Sequence, residues 1–102
     1  MSETKEFKKV YDKAKKWHSQ SAIVYFLADD EKKFAVVASK KIGKAVQRNR
    51  AKRLIRAVFI DIKDDLKPGS YIIITKAAIN ELDFATINKN LRWSFRKLEA
   101  FK

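Results

Sequence analysis

The sequence predicts an α+β domain, a two-layer α/β sandwich in which three helices pack on a small mixed sheet of about four strands, in the order αβββαβα. Three observations support this prediction. The chain has 102 residues, 46% of them hydrophobic, which suits one modest core. Short β-branched apolar runs alternate with segments of helical periodicity. No linker, repeat or low-complexity segment interrupts them, so we expect a single domain over residues 1–102.

A helix is predicted at the N-terminus, over residues 3–14. Apolar residues recur there at spacings of three and four with lysines between them, which is the pattern of an amphipathic helix. The apolar positions are Phe7, Val10, Tyr11 and Ala14.

Two strands are predicted next, over residues 21–28 and 34–38. The first run is apolar on both of its alternating faces, which indicates a strand that is covered on both sides. The second is a shorter apolar run. The acidic turn at residues 29–31 lies between them, so we expect the two strands to pair as a hairpin. Residues 15–18 give a weaker strand signal.

A long helix is predicted over residues 44–66, followed by a strand and a last helix. The apolar stripe of the long helix consists of Ala51, Leu54, Ile55, Val58 and Ile62. Pro68-Gly69 predicts a turn, and the β-branched run at 71–75 predicts a further strand. Asp83 is a suitable N-cap for the last helix. The apolar side of that helix carries Phe84, Ile87, Leu91, Phe95 and Leu98.

The composition excludes several classes of protein. Because the chain has no cysteine, it can form no disulfide, zinc-thiolate site or thiol nucleophile. No apolar run approaches the roughly 20 residues that span a bilayer, and no signal-like stretch begins the chain. We therefore expect a soluble intracellular protein with no membrane partner.

Catalytic side chains are sparse. The one histidine, His18, lies in a basic segment, and a lone histidine is far more often structural or solvent-exposed than catalytic. Carboxylates cluster at residues 29–31 and 61–65, each within one local segment, whereas a two-metal nuclease needs carboxylates that converge from several elements. Gly43-Lys44 lacks the rest of a phosphate-binding loop. The sequence predicts no catalytic residue and no metal site on the protein.

The net charge of +12 indicates a polyanionic partner. Eight basic residues and no acid lie between Lys40 and Arg56, whereas residues 57–88 hold three lysines against five acids. Nucleic acid is the usual partner of such a cationic face, and Asn49 adds a neutral donor and acceptor within it. A solvated helix face without a partner is the alternative, although such faces usually interleave acids.

Aromatic residues form a second candidate site. Phe7 and Tyr11 are four residues apart on the predicted N-terminal helix, and Tyr25 lies on the strand face opposite Val24 and Phe26. Neighbouring lysines flank these aromatics, which is how proteins hold unpaired nucleotides, with stacked bases and paired phosphates. Periodicity alone also fits a hydrophobic core, so both interpretations remain open.

These residues together resemble the bacterial ribonuclease P protein family. The similarity is strongest in Lys40-Lys41-Ile42-Gly43, Ala45-Val46, Arg48-Asn49-Arg50, Lys52-Arg53-Leu54-Ile55-Arg56 and Phe59. Glu6-Phe7, Val10, Tyr11, Tyr25, Tyr71-Ile72-Ile73-Ile74 and Leu82-Asp83-Phe84 extend it over almost the whole chain. The resemblance implies a left-handed βαβ crossover, which is an exception to the usual hand.

The resemblance also implies a function. It implies a complex with a large catalytic RNA that removes the 5′ leader from precursor tRNA. That RNA carries the active site and uses magnesium or a similar divalent ion, so we expect no ion held tightly by the protein. We expect a cytoplasmic bacterial protein whose partners are the catalytic RNA and precursor tRNA, with no membrane and no stable protein partner.

Site residues follow from the resemblance position by position. The residues expected to bind the catalytic RNA are Lys40, Lys41, Lys44, Arg48, Asn49, Arg50, Lys52, Arg53 and Arg56. By the resemblance, Phe7, Tyr11 and Tyr25 are expected to bind the tRNA leader, and the flanking lysines Lys8 and Lys15 are expected to bind it with them.

Two other functions fit the composition. A basic structural ribosomal protein shares the charge and the small α/β fold, but it has no need for exposed aromatics at Phe7 and Tyr25. A protein-only nuclease would cleave precursor tRNA with magnesium in the absence of any RNA partner. Activity of the purified protein alone separates this last hypothesis from the others.

Overall fold

The computed structural model describes residues 12–102 as a four-stranded sheet with two α-helices. The elements are β1 (Lys15–His18), β2 (Ala22–Ala28), β3 (Lys33–Val37), the long helix (Ala45–Ile62), β4 (Gly69–Thr75) and the C-terminal helix (Phe84–Lys97). Three 3-10 turns occupy Lys40–Ile42, Lys63–Asp65 and Ala77–Glu81. The α+β prediction and the strand signal at 15–18 are confirmed.

The predicted N-terminal helix lies almost entirely outside the described residues. Asp12 and Lys13 are helical, and they are the first residues that the structure describes. The count of three helices and the full order αβββαβα therefore stay predictions. Neither of the two described helices is long and apolar enough to cross a membrane.

The order of the strands shows that the predicted hairpin between residues 21–28 and 34–38 is wrong. The order is β1-β2-β4-β3, so β4 lies between the two strands that were expected to pair. β2 is antiparallel to β4, with Tyr25 opposite Ile72, and β3 is parallel to β4, with Ala35 opposite Ile72. The acidic turn reverses the chain, but it does not decide which strands then pair.

Burial explains why β4 takes the central position. Tyr71, Ile72 and Ile73 are fully buried although they point alternately to both faces of the sheet. A strand that is apolar on both faces buries most apolar surface when it lies between two other strands. Every residue of β3, by contrast, is only half-buried. β3 accordingly lies at an edge, and the long helix connects it to β4 as a βαβ unit. The left hand expected for that crossover stays a prediction.

The long helix ends four residues earlier than its periodicity predicts. It stops at Ile62, and a 3-10 turn over Lys63–Asp65 follows. Leu66 is then extended and fully buried, and it forms an isolated bridge with Phe101. Because the buried Leu66 side chain continues into the core from an extended backbone, the helix has to end before it.

An aromatic cluster forms the centre of the core beneath the helices. Tyr71 stacks on Phe26 with ring centroids 4.9 Å apart and meets Phe59 and Phe95 edge-on at 5.5 and 5.7 Å. Its hydroxyl donates to the Lys67 carbonyl at 2.6 Å. Burial raises the pKa of Tyr71 to about 12, because the phenolate would lose its hydration there.

The C-terminal helix begins at the predicted cap. The Asp83 carboxylate accepts the Thr86 backbone N–H at 2.8 Å, and this hydrogen bonding lowers the pKa of Asp83. Ile87 and Leu91 are fully buried, as predicted. Phe84 is not on the buried side: 45% of it is exposed, because the buried stripe of this helix begins one turn later, at Ile87.

Candidate nucleic-acid interface

The first part of the basic segment is a short turn anchored to the body of the protein. Lys40 and Lys41 are exposed in this turn, while Ile42 at its end is buried. The Ser39 hydroxyl accepts the Lys41 N–H at 3.3 Å, and the Asn80 side chain donates to the Ile42 carbonyl at 2.5 Å. The two lysines are therefore presented to solvent from a turn that is held at both ends.

Gly43 joins this turn to the long helix. Its φ of 134° lies in a region that residues with a side chain rarely adopt. A Cβ at this position would lie 1.9 Å from Gln47 Oε1, and that oxygen accepts the Lys44 N–H at 2.9 Å. The glycine thus allows Gln47 to fold back over the first turn of the helix and cap it.

The basic face of the long helix is the surface formed by its polar residues between Lys44 and Arg56. Ala51, Ile55 and Val58 are buried against the sheet, as predicted. The exposed residues of the basic face are Lys44, Asn49, Arg53 and Arg56, and the half-buried ones are Arg48, Arg50 and Lys52. The structure thus places six of the seven predicted residues on one helix and Lys44 at its N-cap, beside the turn with Lys40 and Lys41.

Part of the basic face forms a shallow depression of about 520 Å³. It is lined by Asn49, Lys52, Arg53, Arg56, Ala57 and Ile60. In the part of the chain that the structure describes, none of the eight cations from Lys40 to Arg56 forms an ion pair. The positive charge therefore faces solvent without neutralisation, and an anion with several charged groups can bind it.

The exposure of two apolar residues of the long helix was not predicted from the sequence. Val46 is 79% exposed and Ile60 is 63% exposed, both on the outer side of the long helix. They lie seven residues to either side of Arg53, which places all three on one line along the helix. This spacing was the available signal, but the helical periodicity predicts only the buried stripe.

Tyr25 lies on the sheet face opposite to the one on which the two described α-helices pack. It is half-buried in β2 between buried Val24 and Phe26, whose side chains point to the helices. Its neighbours in register are Lys16 on β1 and Ile72 on β4. Tyr25 therefore has one cation and one aliphatic side chain beside it on this face.

The other predicted leader-binding residues are not all brought to Tyr25. Lys15 pairs with Phe26 in register, so its side chain starts from the opposite, helix-covered face of the sheet. Its neighbour Lys16 is the lysine that shares the face of Tyr25. Phe7, Lys8 and Tyr11 lie outside the described residues, so their roles stay predictions.

The carboxylates of the described chain do not converge. Within residues 12–102, no group of three His, Asp or Glu side chains is arranged to hold a metal ion. Asp61 instead pairs with Arg92 of the C-terminal helix, Nη2 to Oδ2 at 2.6 Å. His18 is exposed on edge strand β1.

Comparison with known proteins assigns the chain to a family. The family model described as Ribonuclease P matches residues 1–99. A Ribonuclease P protein component from a Nitratiruptor species is 39% identical over 98 residues, which cover 96% of this chain and 90% of that relative. One from Bacillus pumilus is 37% identical, covering 100% of this chain and 89% of the relative.

Solved structures agree with this assignment. A Staphylococcus aureus RNase P protein mutant with defective mRNA degradation activity matches with a TM-score of 0.92 and 25% identity, over 99% of this chain and 88% of that one. The Thermotoga maritima RNase P protein in complex with 1-(4-fluorophenyl)-2-thiourea has the same fold, with a TM-score of 0.82, 22% identity and coverage of 100% and 99%. The chain belongs to the ribonuclease P protein family.

Proposed function

We propose that this chain is the protein subunit of ribonuclease P, the ribonucleoprotein endonuclease that removes the 5′ leader of precursor tRNA in the bacterial cytoplasm. Family membership over residues 1–99 supports the activity. The observation that supports RNA binding by this chain is the row of unneutralised cations on the long helix and its preceding turn.

The basic face is proposed to bind the catalytic RNA. Arg53 and Arg56 offer planar guanidinium groups that pair with two phosphate oxygens at once, and Lys52 adds a point charge beside them. Asn49, in the same depression, can donate to or accept from a ribose hydroxyl. Phosphates bound here would also remove the repulsion between cations four residues apart on the helix.

The sheet face around Tyr25 is proposed to hold the single-stranded leader. An aromatic side chain offers a surface on which any base can stack, and the neighbouring Lys16 can pair with a phosphate of the same strand. Because mature tRNA has no leader, this site would favour precursor over mature tRNA.

The chemistry of cleavage is assigned to the RNA partner. The carboxylates in residues 12–102 do not fit a metal site, so the proposal places magnesium on the catalytic RNA and derives no step through a metal on this chain. The protein contributes binding energy and geometry. Its cations reduce the repulsion between RNA phosphates, a task that magnesium alone must otherwise perform.

Reconstitution tests this function. The protein, a bacterial ribonuclease P RNA and precursor tRNA are combined at a magnesium concentration at which the RNA alone is nearly inactive. We expect cleavage at the leader junction only when protein and RNA are both present. Cleavage by the protein alone would instead support a protein-only nuclease, and no stimulation of the RNA would refute the proposal.

A charge-matched pair of variants tests the assignment of the basic face. Arg53→Gln/Arg56→Gln removes two exposed charges from the depression, whereas Lys63→Gln/Lys102→Gln removes two exposed charges elsewhere. Each lost phosphate contact reduces the slope of log affinity against log salt by about 1. We expect the first variant to reduce the slope for the catalytic RNA by about 2 and the second to leave it unchanged. Equal effects would show nonspecific attraction by net charge.

A further inference from the structure

We propose that the outer face of the C-terminal helix is an additional binding surface for unpaired RNA, on which a base stacks on Trp93 and neighbouring phosphates pair with Lys89, Arg96 and Lys97. This surface is separate from the basic face of the long helix and from the sheet face around Tyr25. It does not depend on the identity of the enzyme in which the chain acts.

An exposed aromatic in a depression is the first observation. Trp93 is 44% exposed, although it lies in the middle of a helix whose other side is fully buried. It borders a shallow depression of about 530 Å³ along the outer face. The depression is lined by Ala85, Asn88, Lys89, Asn90, Arg92, Trp93 and Arg96. Within this lining, Lys89 and Arg96 offer cationic donors suited to phosphate oxygens, whereas Asn90 and Arg92 already donate to Ser21 and Asp61.

The charge of the helix is the second observation. Phe84–Lys97 carries four basic residues and no acid. Arg92 is neutralised by Asp61 of the long helix and is further fixed by Asn88. Lys89, Arg96 and Lys97 remain exposed, and in the described part of the chain they form no ion pair. Arg96 and Lys97 lie in the last turn, where positive charge is favourable to the helix dipole, but no acid within the helix offsets the repulsion between its cations. Phosphates of an RNA strand would offset that repulsion.

A fixed orientation of the indole is the third observation. Trp93 meets Trp17 of β1 edge-on, with centroids 5.4 Å apart and rings at 82°. Lys97 Nζ lies 5.6 Å from the Trp93 ring centroid and 6.0 Å from that of Trp17. These contacts limit the motion of the Trp93 side chain in the free protein. Stacking of a base on it would therefore cost little side-chain entropy.

The location keeps this surface apart from the basic face. The C-terminal helix packs over β1 and β2, while the long helix packs over β3 and β4. The Arg92–Asp61 ion pair bridges the two helices and places an acid between the two cationic surfaces. One RNA strand or two different RNA segments could therefore occupy the two surfaces without sharing a cation.

A purely structural role is the competing explanation. In that case Trp17, Trp93 and Lys97 hold edge strand β1 against the helix and bind nothing. The two explanations make different predictions for the environment of the Trp93 indole when RNA is added. Only a ligand-binding role predicts that added RNA changes the environment of Trp93 while the fold stays the same.

Fluorescence of a single tryptophan tests the proposal. The chain has two tryptophans, so Trp17→Phe leaves Trp93 as the only indole and keeps an aromatic ring beside it. We titrate this full-length variant with a 12-nucleotide oligouridylate and expect saturable, salt-sensitive quenching of its emission. Tripolyphosphate and polyglutamate serve as anions without bases and should quench far less. Quenching by either as strong as that by the RNA would overturn the assignment to RNA.

Matched variants then measure the contribution of the ring. In the Arg53→Gln/Arg56→Gln background, which weakens the basic face, we expect Trp93→Ala to bind the labelled oligouridylate about tenfold more weakly by anisotropy. Trp93→Phe should restore most of the affinity, since phenylalanine can still stack. Phe84→Ala is the control, because Phe84 is 45% exposed on the same helix but does not line the depression.

The outcomes are distinguishable from loss of folding. Circular dichroism and a thermal melt of each variant show whether the fold persists, and Trp93→Phe reports on binding even where Trp93→Ala unfolds. Unquenched Trp93 emission at an RNA concentration where anisotropy shows binding would refute the proposal. Equal loss of affinity in Trp93→Ala and Phe84→Ala would do the same.

Discussion

Gly43 controls the junction between the two parts of the basic segment, and Gly43→Ala should disturb both stability and RNA binding. The glycine has φ 134° and ψ −151°, a combination that only glycine adopts readily. Forcing alanine into it costs about 1–3 kcal/mol of folding free energy. A Cβ placed 1.9 Å from Gln47 Oε1 would also expel that side chain.

Displacement of the Gln47 side chain lowers the free energy of unfolding by a second contribution, which can be measured separately. Gln47 Oε1 accepts the Lys44 N–H at 2.9 Å, and breaking this hydrogen bond costs about 1 kcal/mol. The lower entropy of an unfolded chain that contains alanine in place of Gly43 offsets about 0.4–1 kcal/mol. The net expectation for Gly43→Ala is a loss of about 1–4 kcal/mol of folding free energy.

Urea unfolding of a double-mutant cycle tests this reasoning. Gln47→Ala alone should cost about 1 kcal/mol, because it removes the cap and nothing else. Added to Gly43→Ala it should cost nothing, because the alanine at 43 has already displaced the Gln47 side chain. Additive effects of the two substitutions, or a Gly43→Ala protein as stable as the wild type, would refute the argument.

RNA affinity provides an independent measurement of the same junction. Because Gly43 fixes the turn with Lys40 and Lys41 relative to the long helix, Gly43→Ala should weaken binding of the catalytic RNA. Gln47→Ala leaves the backbone of the turn intact and should weaken it less. The reverse order of effects would show that the turn does not contribute to binding.

Three further predictions concern the fold. The pKa of Tyr71 is about 12 in the folded protein, against 10.0 for an ordinary tyrosine. The free energy of unfolding should therefore be unaffected by Tyr71 below pH 10 and should fall by about 1.4 kcal/mol per pH unit as the pH rises from 10 towards 12. Urea titrations of Tyr71→Phe should lack this decline. Hydrogen bonds from Thr86 lower the pKa of Asp83, so its stabilisation is lost as the pH falls through that lowered value; thermal melts should show less acid destabilisation in Asp83→Asn than in wild type. Phe59 stacks on Phe34 at 4.0 Å and is nearly buried, so Phe59→Ala should lose about 3–5 kcal/mol in chemical unfolding, and a loss below about 1 kcal/mol would contradict this packing.

Local features of the fold were available in the sequence because neighbours along the chain produce them. Asp83 caps its helix through the N–H of Thr86, three residues away, so composition and spacing suffice to identify it. The same holds for the apolar stripe at Ala51, Ile55 and Val58, which follows from the repeat of the helix. The stretch from Arg48 to Arg56 likewise holds cations and no acid, so it places its charge on one helix wherever that helix packs.

Features that depend on partners distant in sequence were decided by the folded arrangement. The two strands next to the acidic turn, β2 and β3, each pair with β4. β4 is apolar on both faces, so it buries most apolar surface in the interior of the sheet. The register of β1 against β2 decides that Lys16, and not Lys15, lies beside Tyr25. A shift by one residue would reverse this choice, and nothing in the composition distinguishes the two lysines.

The order of the residues was sufficient to specify a small α+β domain with a strongly cationic helix and the motif of the ribonuclease P protein family. The contact between Trp17 and Trp93 exists only in the folded chain, since 76 positions separate the two residues. Folding also paired Arg92 with Asp61 and left Lys97 over the two indoles. Periodicity records which side of an element is apolar, but the choice of the surface against which that side packs is a property of the whole fold.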